Sequence, residues 1–319
     1  MLEYRGFESF CSAYFYSPSW WQKMLSFLLL PFSLIYCFIS RLKFSFSNSQ
    51  KDLGILVFSV GNLVVGGSGK SPLCKAIYSF FNEMSEYKNA VFIVLRGYRR
   101  KSKGCVVVSQ NGEILVPCGA SGDEAMDYAI NGANVIVSED REAGILKAKE
   151  LGAKIVILDD GFRHFGIKKF DILLKPFSKP ACDFCLPSGA YRLPKSFYAL
   201  ADFIPDDSDI VRNSRILYPT ERMVLVSGIA NPSRLNKHYG NCVAHYHFSD
   251  HYDFSAAELK EILKKHAATS LLVTSKDYAK IKDFGIPFSV INLELSLSEN
   301  FKEKLLEYVR KCDAISAGR

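Results

Sequence analysis

The chain has 319 residues, of which 48% are hydrophobic and 23% charged, and it carries a formal net charge of +7. This length allows one large or two modest domains, and this balance excludes a disordered or fibrous chain. The nine cysteines are odd in number and scattered, which excludes a disulfide framework and reads as reduced thiols. The positive charge suits an acidic partner, whether nucleotide, anionic lipid or nucleic acid, and selects none of them.

Residues 24–40, MLSFLLLPFSLIYCFIS, carry no charge, with Trp20 and Trp21 before them and Arg41 and Lys43 after. A secretory signal would place its positive charge first and end in a small-residue cleavage site. The run is slightly shorter than the ~20 apolar residues that span a bilayer, and Pro31 interrupts it. Tryptophans on one flank and cations on the other predict a helix that sits in or at a membrane interface. A buried hydrophobic helix is the alternative.

From residue 54 onward short apolar runs alternate with amphipathic ones. GILVFSV (54–60), VFIVL (91–95), VIVS (135–138), IVILDD (155–160) and DILL (171–174) read as buried strands. Residues 71–86, 122–131 and 141–151 between them read as helices. This alternation predicts an α/β fold, a P-loop NTPase-like, mostly parallel sheet flanked by helices. A proline-containing passage over 176–220 breaks the rhythm, which resumes with strands at 223–229, 242–248, 270–275 and 288–293 and helices at 255–267 and 296–312. The expected organisation is an N-terminal membrane-associated segment (1–50), a P-loop domain (51–214) and a smaller C-terminal α/β lobe (215–319).

SVGNLVVGGSGKSP (59–72) stands where a phosphate loop belongs, between a buried strand and a helix with Pro72 in its first turn. It ends in Gly69-Lys70-Ser71 as the pattern G-x-x-x-x-G-K-[ST] requires, but its first glycine position holds Val64. Gly66, Gly67, Ser68 and Gly69 would turn backbone N–H groups around phosphate, Lys70 would reach the β- and γ-phosphates, and Ser71 would bind Mg²⁺. The strand IVIL running into Asp159-Asp160 adds the carboxylates that P-loop enzymes use for Mg²⁺. Together these predict binding of ATP or GTP with Mg²⁺. The pair Cys182/Cys185 lacks a second pair or a spaced histidine pair for zinc and reads as incidental, and so do His245 and His247.

GNLVVGGSGKSP, LRGYRRKSKG (95–104), GDEAMDYA (122–129), LDDGFRHFGI (158–167), LPSGAYRLP (186–194), GIANPSR (228–234) and FSDHYDF (248–254) follow one another in this order. In order and content they resemble the tetraacyldisaccharide 4′-kinase (lipid A 4′-kinase, LpxK) family over nearly the whole chain. The resemblance implies transfer of the ATP γ-phosphoryl group to the 4′-hydroxyl of an acylated glucosamine disaccharide 1-phosphate, giving lipid IVA. It implies work on the cytoplasmic face of the inner membrane of a Gram-negative bacterium, with a lipid surface and no nucleic acid as the anionic partner. It implies Asp123 as the base, partnered by His251. Judged without it, Asp123 is equally a helix cap. Arg96, Arg99 and Arg100 are candidates for a substrate phosphate and Arg192 for the transferred charge. The chain departs from the family pattern at Arg99 (glycine expected), Arg163 (glutamine), Leu193 (glutamate) and Ser275 (glutamate). Two other readings fit the loop alone, another P-loop kinase or GTPase and a nucleotide-binding membrane adaptor that transfers no phosphate.

Overall fold

The computed structural model describes residues 10–47, 50–66, 68–229, 232–249 and 252–317. Its first sheet is built from β1 (Leu56–Asn62), β2 (Val91–Leu95), β3 (Val106–Gln110), β4 (Glu113–Ile114), β5 (Asn134–Val137), β6 (Ile155–Asp159) and β7 (Phe170–Leu174), in the order β4-β3-β5-β2-β6-β1-β7. β5, β2, β6, β1 and β7 run parallel, and β3 and β4 form an antiparallel edge. β2, β6 and β7 are buried along their whole length, as strands covered by helices on both faces must be, hence their unbroken apolar runs. β1 lies between β6 and β7, with Val60 opposite Asp159, so the turn leaving β1 and the acids leaving β6 emerge side by side. Carboxyl ends of parallel strands are where such sheets bind ligands.

One face of this sheet carries the main core, where Leu73, Ile77 and Phe81 of the Lys70–Glu83 helix meet Phe58, Ile93, Val135 and Ile157. The other is covered by the Arg141–Glu150 helix through Ile145 and Ala148.

A second sheet holds β8 (Ile210–Leu217), β9 (Met223–Ser227), β10 (Cys242–His247), β11 (Ser270–Thr274) and β12 (Phe288–Leu297), in the order β10-β9-β11-β12-β8. The expected boundary at 214/215 cuts through β8, which pairs antiparallel with β12 over its whole length and belongs entirely to this sheet. β8 escapes sequence reading because IVRNSRIL is largely polar and half-exposed at an edge. The expected lobe 215–319 is also not self-contained. Its last helix, Glu299–Ala317, returns to the first sheet and buries Phe301, Leu305 and Val309 in that core, with Phe301 stacked edge-on against Phe203 at 4.8 Å.

Residues 20–45 form the helices Trp20–Leu28 and Leu30–Ser45, bent by 54° where they meet. Pro31 sits in the first turn of the second helix, where its missing N–H costs nothing, so the break falls just before the proline. Among the described residues no single helix is long and apolar enough to cross a membrane.

Phe301 is fully buried, so its loss creates a cavity where the C-terminal helix rejoins the first sheet. Phe301→Ala is expected to cost about 3–5 kcal/mol in urea unfolding. A loss below about 1 kcal/mol would show that this helix does not share the cooperative core.

Candidate active site

The turn after β1 is shaped by a partner strand as well as by glycines. Val65 N–H donates to the Ala190 carbonyl at 2.9 Å, Arg192 N–H donates to the Leu63 carbonyl at 2.7 Å, and Val64 bridges Tyr191. Val64 is therefore buried in extended conformation and needs no glycine, which accounts for the mismatch with the usual pattern. The glycines that follow are needed. Gly66 and Gly69 have φ of +99° and +86°, in the region that L side chains avoid. Gly69 leads directly into the Lys70–Glu83 helix, so the helix N-terminus faces the turn. Gly67 lies outside the described residues.

Asn62, the last residue of β1, is the hub of the polar site. Its Oδ1 accepts from Lys70 Nζ at 3.3 Å and from the Arg192 guanidinium. Arg192 also grips both oxygens of Asp160, each at 2.9 Å, and Lys70 Nζ stands 4.0 Å from the same carboxylate. Burial opposes ionisation of Asp160, but the Arg192 fork, Lys70 and Arg141 outweigh it and hold its carboxyl below the usual range. Asp159 has the opposite fate. It is buried, accepts from the Tyr128 hydroxyl at 2.8 Å, and is pushed up to about 6 by burial and by the nearby Glu124 against the pull of Lys70. Unpartnered buried donors gather on the same residues, among them Asn62 Nδ2, Ser68 Oγ and Arg192 Nε, as suits a site for an anion.

These groups open into a cleft of about 1420 Å³ lined by Gly66, Ser68, Gly69, Lys70, Ser71, Arg96, Asp159 and Asp160. Its far wall comes from the N-terminal helix (Tyr36, Ile39, Ser40, Lys43) and from the second sheet (Arg212, Ser214, Ile291, Leu295). The structure thus brings the loop, both acids and Arg96 together. Three of the expected residues are engaged elsewhere. Arg100 is spent on the Val137 and Gly104 carbonyls and on Glu139, and its side chain is 2% exposed and outside the cleft. Arg99 lies over the Tyr98 ring at 5.5 Å, also outside the cleft. Its φ of +59° shows why a glycine is expected there. Arg192 and Asp160 are paired with each other, which gives Arg192 a holding task, while Asp160 stays partly exposed in the cleft and Asp159 is buried at its wall.

Asp123 opens the Asp123–Ile130 helix and does not line the cleft, whereas Glu124 and Asp127 do. The Asp123 carboxylate stands 3.3 Å from Lys280 Nζ and accepts from the Cys118 thiol at 3.7 Å. His251 lies outside the described residues. Residues that sequence reading passed over include Asn62, Tyr128, Arg141 and the pair Lys75–Asp127 at 2.8 Å. Asn62 and Tyr128 stand inside motifs already quoted, and that was the available signal. Three departures from the family pattern also face the cleft: Arg163, Ser275, and Leu193, which packs in an apolar cluster with Tyr191 and Phe197.

A carboxyl whose folded value, about 6, lies above its ordinary 3.8 destabilises the fold once pH exceeds both. The cost is absent below about pH 4 and full above about pH 6, where it reaches on the order of 3 kcal/mol. Asp159→Asn keeps an acceptor for Tyr128. It is expected to stabilise chelator-treated protein against urea at pH 7.5 by up to about 3 kcal/mol and hardly at pH 4. Equal stabilisation at both pH values would remove the buried charge as its cause.

Comparison with known proteins accounts for the order of these motifs. The family model described as tetraacyldisaccharide-1-P 4′-kinase matches residues 25–209 and 205–310. A tetraacyldisaccharide 4′-kinase of Campylobacter jejuni (strain RM1221) is 48% identical over 314 residues, 98% of this chain and 99% of that protein. One of Helicobacter pylori (strain HPAG1) is 47% identical over 306 residues, 95% of each. The crystal structure of LpxK from Aquifex aeolicus in complex with ATP matches with a TM-score of 0.74 at 27% identity, covering 89% of this chain and 98% of that one. With relatives this similar along nearly their whole length, the chain belongs to the tetraacyldisaccharide-1-P 4′-kinase family.

Proposed function

We propose that this chain is a lipid kinase that transfers the γ-phosphoryl group of ATP to the 4′-hydroxyl of an acylated glucosamine disaccharide 1-phosphate. The observation that carries this reading, beyond family membership, is a single cleft that joins a phosphate loop to an exposed apolar helix pair. A soluble substrate needs no such wall, and an acylated one does.

Phosphoryl transfer is mostly positioning and charge neutralisation. The Gly66–Gly69 turn and the helix N-terminus receive the phosphates, and Lys70 exchanges its resting contacts with Asn62 and Asp160 for phosphate oxygens. Ser71 and one or both of Asp159 and Asp160 are the residues that would hold Mg²⁺, which would supply neutralising charge at the phosphates. Among the described residues no group of three or more His, Cys, Asp or Glu that could hold a metal ion gathers, so the chain alone would supply few of that cation's ligands. Asp123 takes the proton of the 4′-hydroxyl as its oxygen bonds to the γ-phosphorus and the bond to the β–γ bridging oxygen breaks, releasing ADP. His251 is its proposed partner. Arg96 is the cation of the 95–104 loop that faces incoming phosphate.

The helix pair is inverted relative to a soluble protein. Gln22, Ser33 and Ser40 are buried against the protein, while Trp20, Met24, Phe27, Leu28, Phe32, Leu34 and Phe38 are exposed. An apolar face this large marks a membrane or partner surface, and the buried polar face fits helices lying in the interface rather than crossing it. The proposed location is the cytoplasmic face of the inner membrane, the side that supplies ATP.

Purified protein with labelled ATP, Mg²⁺ and an acylated disaccharide 1-phosphate in detergent is expected to yield a doubly phosphorylated lipid. No transfer would overturn the proposal. Asp123→Ala is expected to lower kcat by at least about 100-fold with ATP binding kept within about twofold, whereas Lys70→Ala impairs both. Retained turnover in Asp123→Ala removes it as the base. Phe27→Glu combined with Phe38→Glu is expected to weaken sedimentation with anionic lipid vesicles by at least about tenfold, since each phenylalanine contributes about 1.5–3 kcal/mol when buried. Unchanged sedimentation removes this face as the membrane surface.

A further inference from the structure

Lys280 is the most enclosed lysine that touches the proposed base. Its side chain is 10% exposed, and its ammonium has two described partners, the Asp123 carboxylate at 3.3 Å and the Tyr252 carbonyl at 3.2 Å. A largely desolvated ammonium is costly unless paired, so these contacts hold it in one place. It is also well mounted. Lys280 lies on the Ser275–Ile281 helix, which is capped by Thr274 and seated by buried Asp277, whose Oδ2 accepts the Gly228 N–H at 3.1 Å. Asp123 is fixed from the other side. Gly122 before it has φ of +85°, and any side chain there would come within 2.8 Å of the Tyr98 carbonyl. The Asp123–Ile130 helix packs against the Ser275–Ile281 helix, so this ion pair joins the phosphate-loop lobe to the second lobe.

We propose that Lys280 is a positioning residue for Asp123. Its ammonium sets the direction of the carboxylate and ties that direction to the placement of the second lobe, so turnover depends on Lys280 through Asp123 and not through nucleotide binding. The polar contacts of Lys280 among the described residues are to Asp123 and Tyr252, and Lys280 does not line the main cleft. The inference rests on the reading of Asp123 as the base.

The test is a double-mutant cycle in the detergent assay with ATP and the acylated disaccharide 1-phosphate. Lys280→Met is expected to lower kcat by at least about tenfold with KM for ATP within about twofold, while Lys280→Arg, which keeps the charge, stays within about threefold of the parent. In the Asp123→Asn background Lys280→Met is expected to add less than about twofold, because the residue it acts through is already disabled. If Lys280→Met does not fold, Lys280→Gln keeps a donor for Tyr252 without the charge and takes its place. An inactive Asp123→Asn beside a fully active Lys280→Met overturns this inference alone. A full additive loss in the double mutant also overturns it. Parental turnover in Asp123→Asn overturns the reading of the base and this inference with it.

Discussion

Arg192 sends both terminal nitrogens to the Asp160 carboxylate and one of them also to Asn62, while its own backbone N–H holds the Leu63 carbonyl. Three segments far apart in sequence meet at this side chain: the end of β1, the end of β6, and the 186–194 loop. The Tyr36 hydroxyl, donating to the Arg192 carbonyl at 2.8 Å, adds the N-terminal helix as a fourth. A bidentate arginine–carboxylate pair is directional as well as strong, so it fixes the angle at which these segments join. The phosphate turn inherits its shape from that joint, because the strand bridge at Val64 forms only where the 190–192 segment is held alongside.

The same joint explains how two adjacent carboxylates acquire opposite characters. Asp160 turns out of the strand at φ +55° into the reach of Arg192 and Lys70 and stays charged. Asp159, still inside the strand, is buried beside the Tyr128 hydroxyl and close to the Glu124 carboxylate, with Lys70 as the opposing cation. Burial raises one and cations lower the other, which places a poorly satisfied carboxylate next to a fully satisfied one. Such an arrangement costs stability while no ligand is bound.

Most of the first sheet was legible because buried parallel strands leave unbroken apolar runs, and the turns between them carry glycine and charge. VFIVL, IVIL and DILL need no context to be read. The edge elements were not legible. β8 has four consecutive polar residues, Arg212 to Arg215, between apolar ends and is half-exposed, and β4 spans two residues, Glu113 and Ile114. The loop, the two acids and Arg96 were readable as site residues since motif and position agree. The tasks of Arg100 and Arg192 were not, because a guanidinium reads the same in sequence whether it faces a substrate or a buried carbonyl. Val64 is the clearest case. Its mismatch with the usual phosphate-loop pattern is resolved by a strand bridge to Tyr191, a contact across 127 positions that no local pattern carries.

In the apolar N-terminal segment composition is legible and orientation is silent. Its hydrophobic run suggested a membrane helix, yet the informative residues are the few polar ones. Ser26 and Ser188 exchange hydrogen bonds to each other's carbonyls, each at 2.7 Å, and Ser33 donates to the Cys185 carbonyl at 2.8 Å. Ser26, Ser33 and Ser40 recur every seven residues, the spacing that returns to one side of a helix. That stripe faces the protein and leaves the phenylalanines and leucines outward. Tyr16 carries the contact to the chemistry itself, donating to the Val65 carbonyl at 2.6 Å beside the phosphate turn. The segment is therefore a wall of the site, and its polar stripe determines which apolar face remains outward.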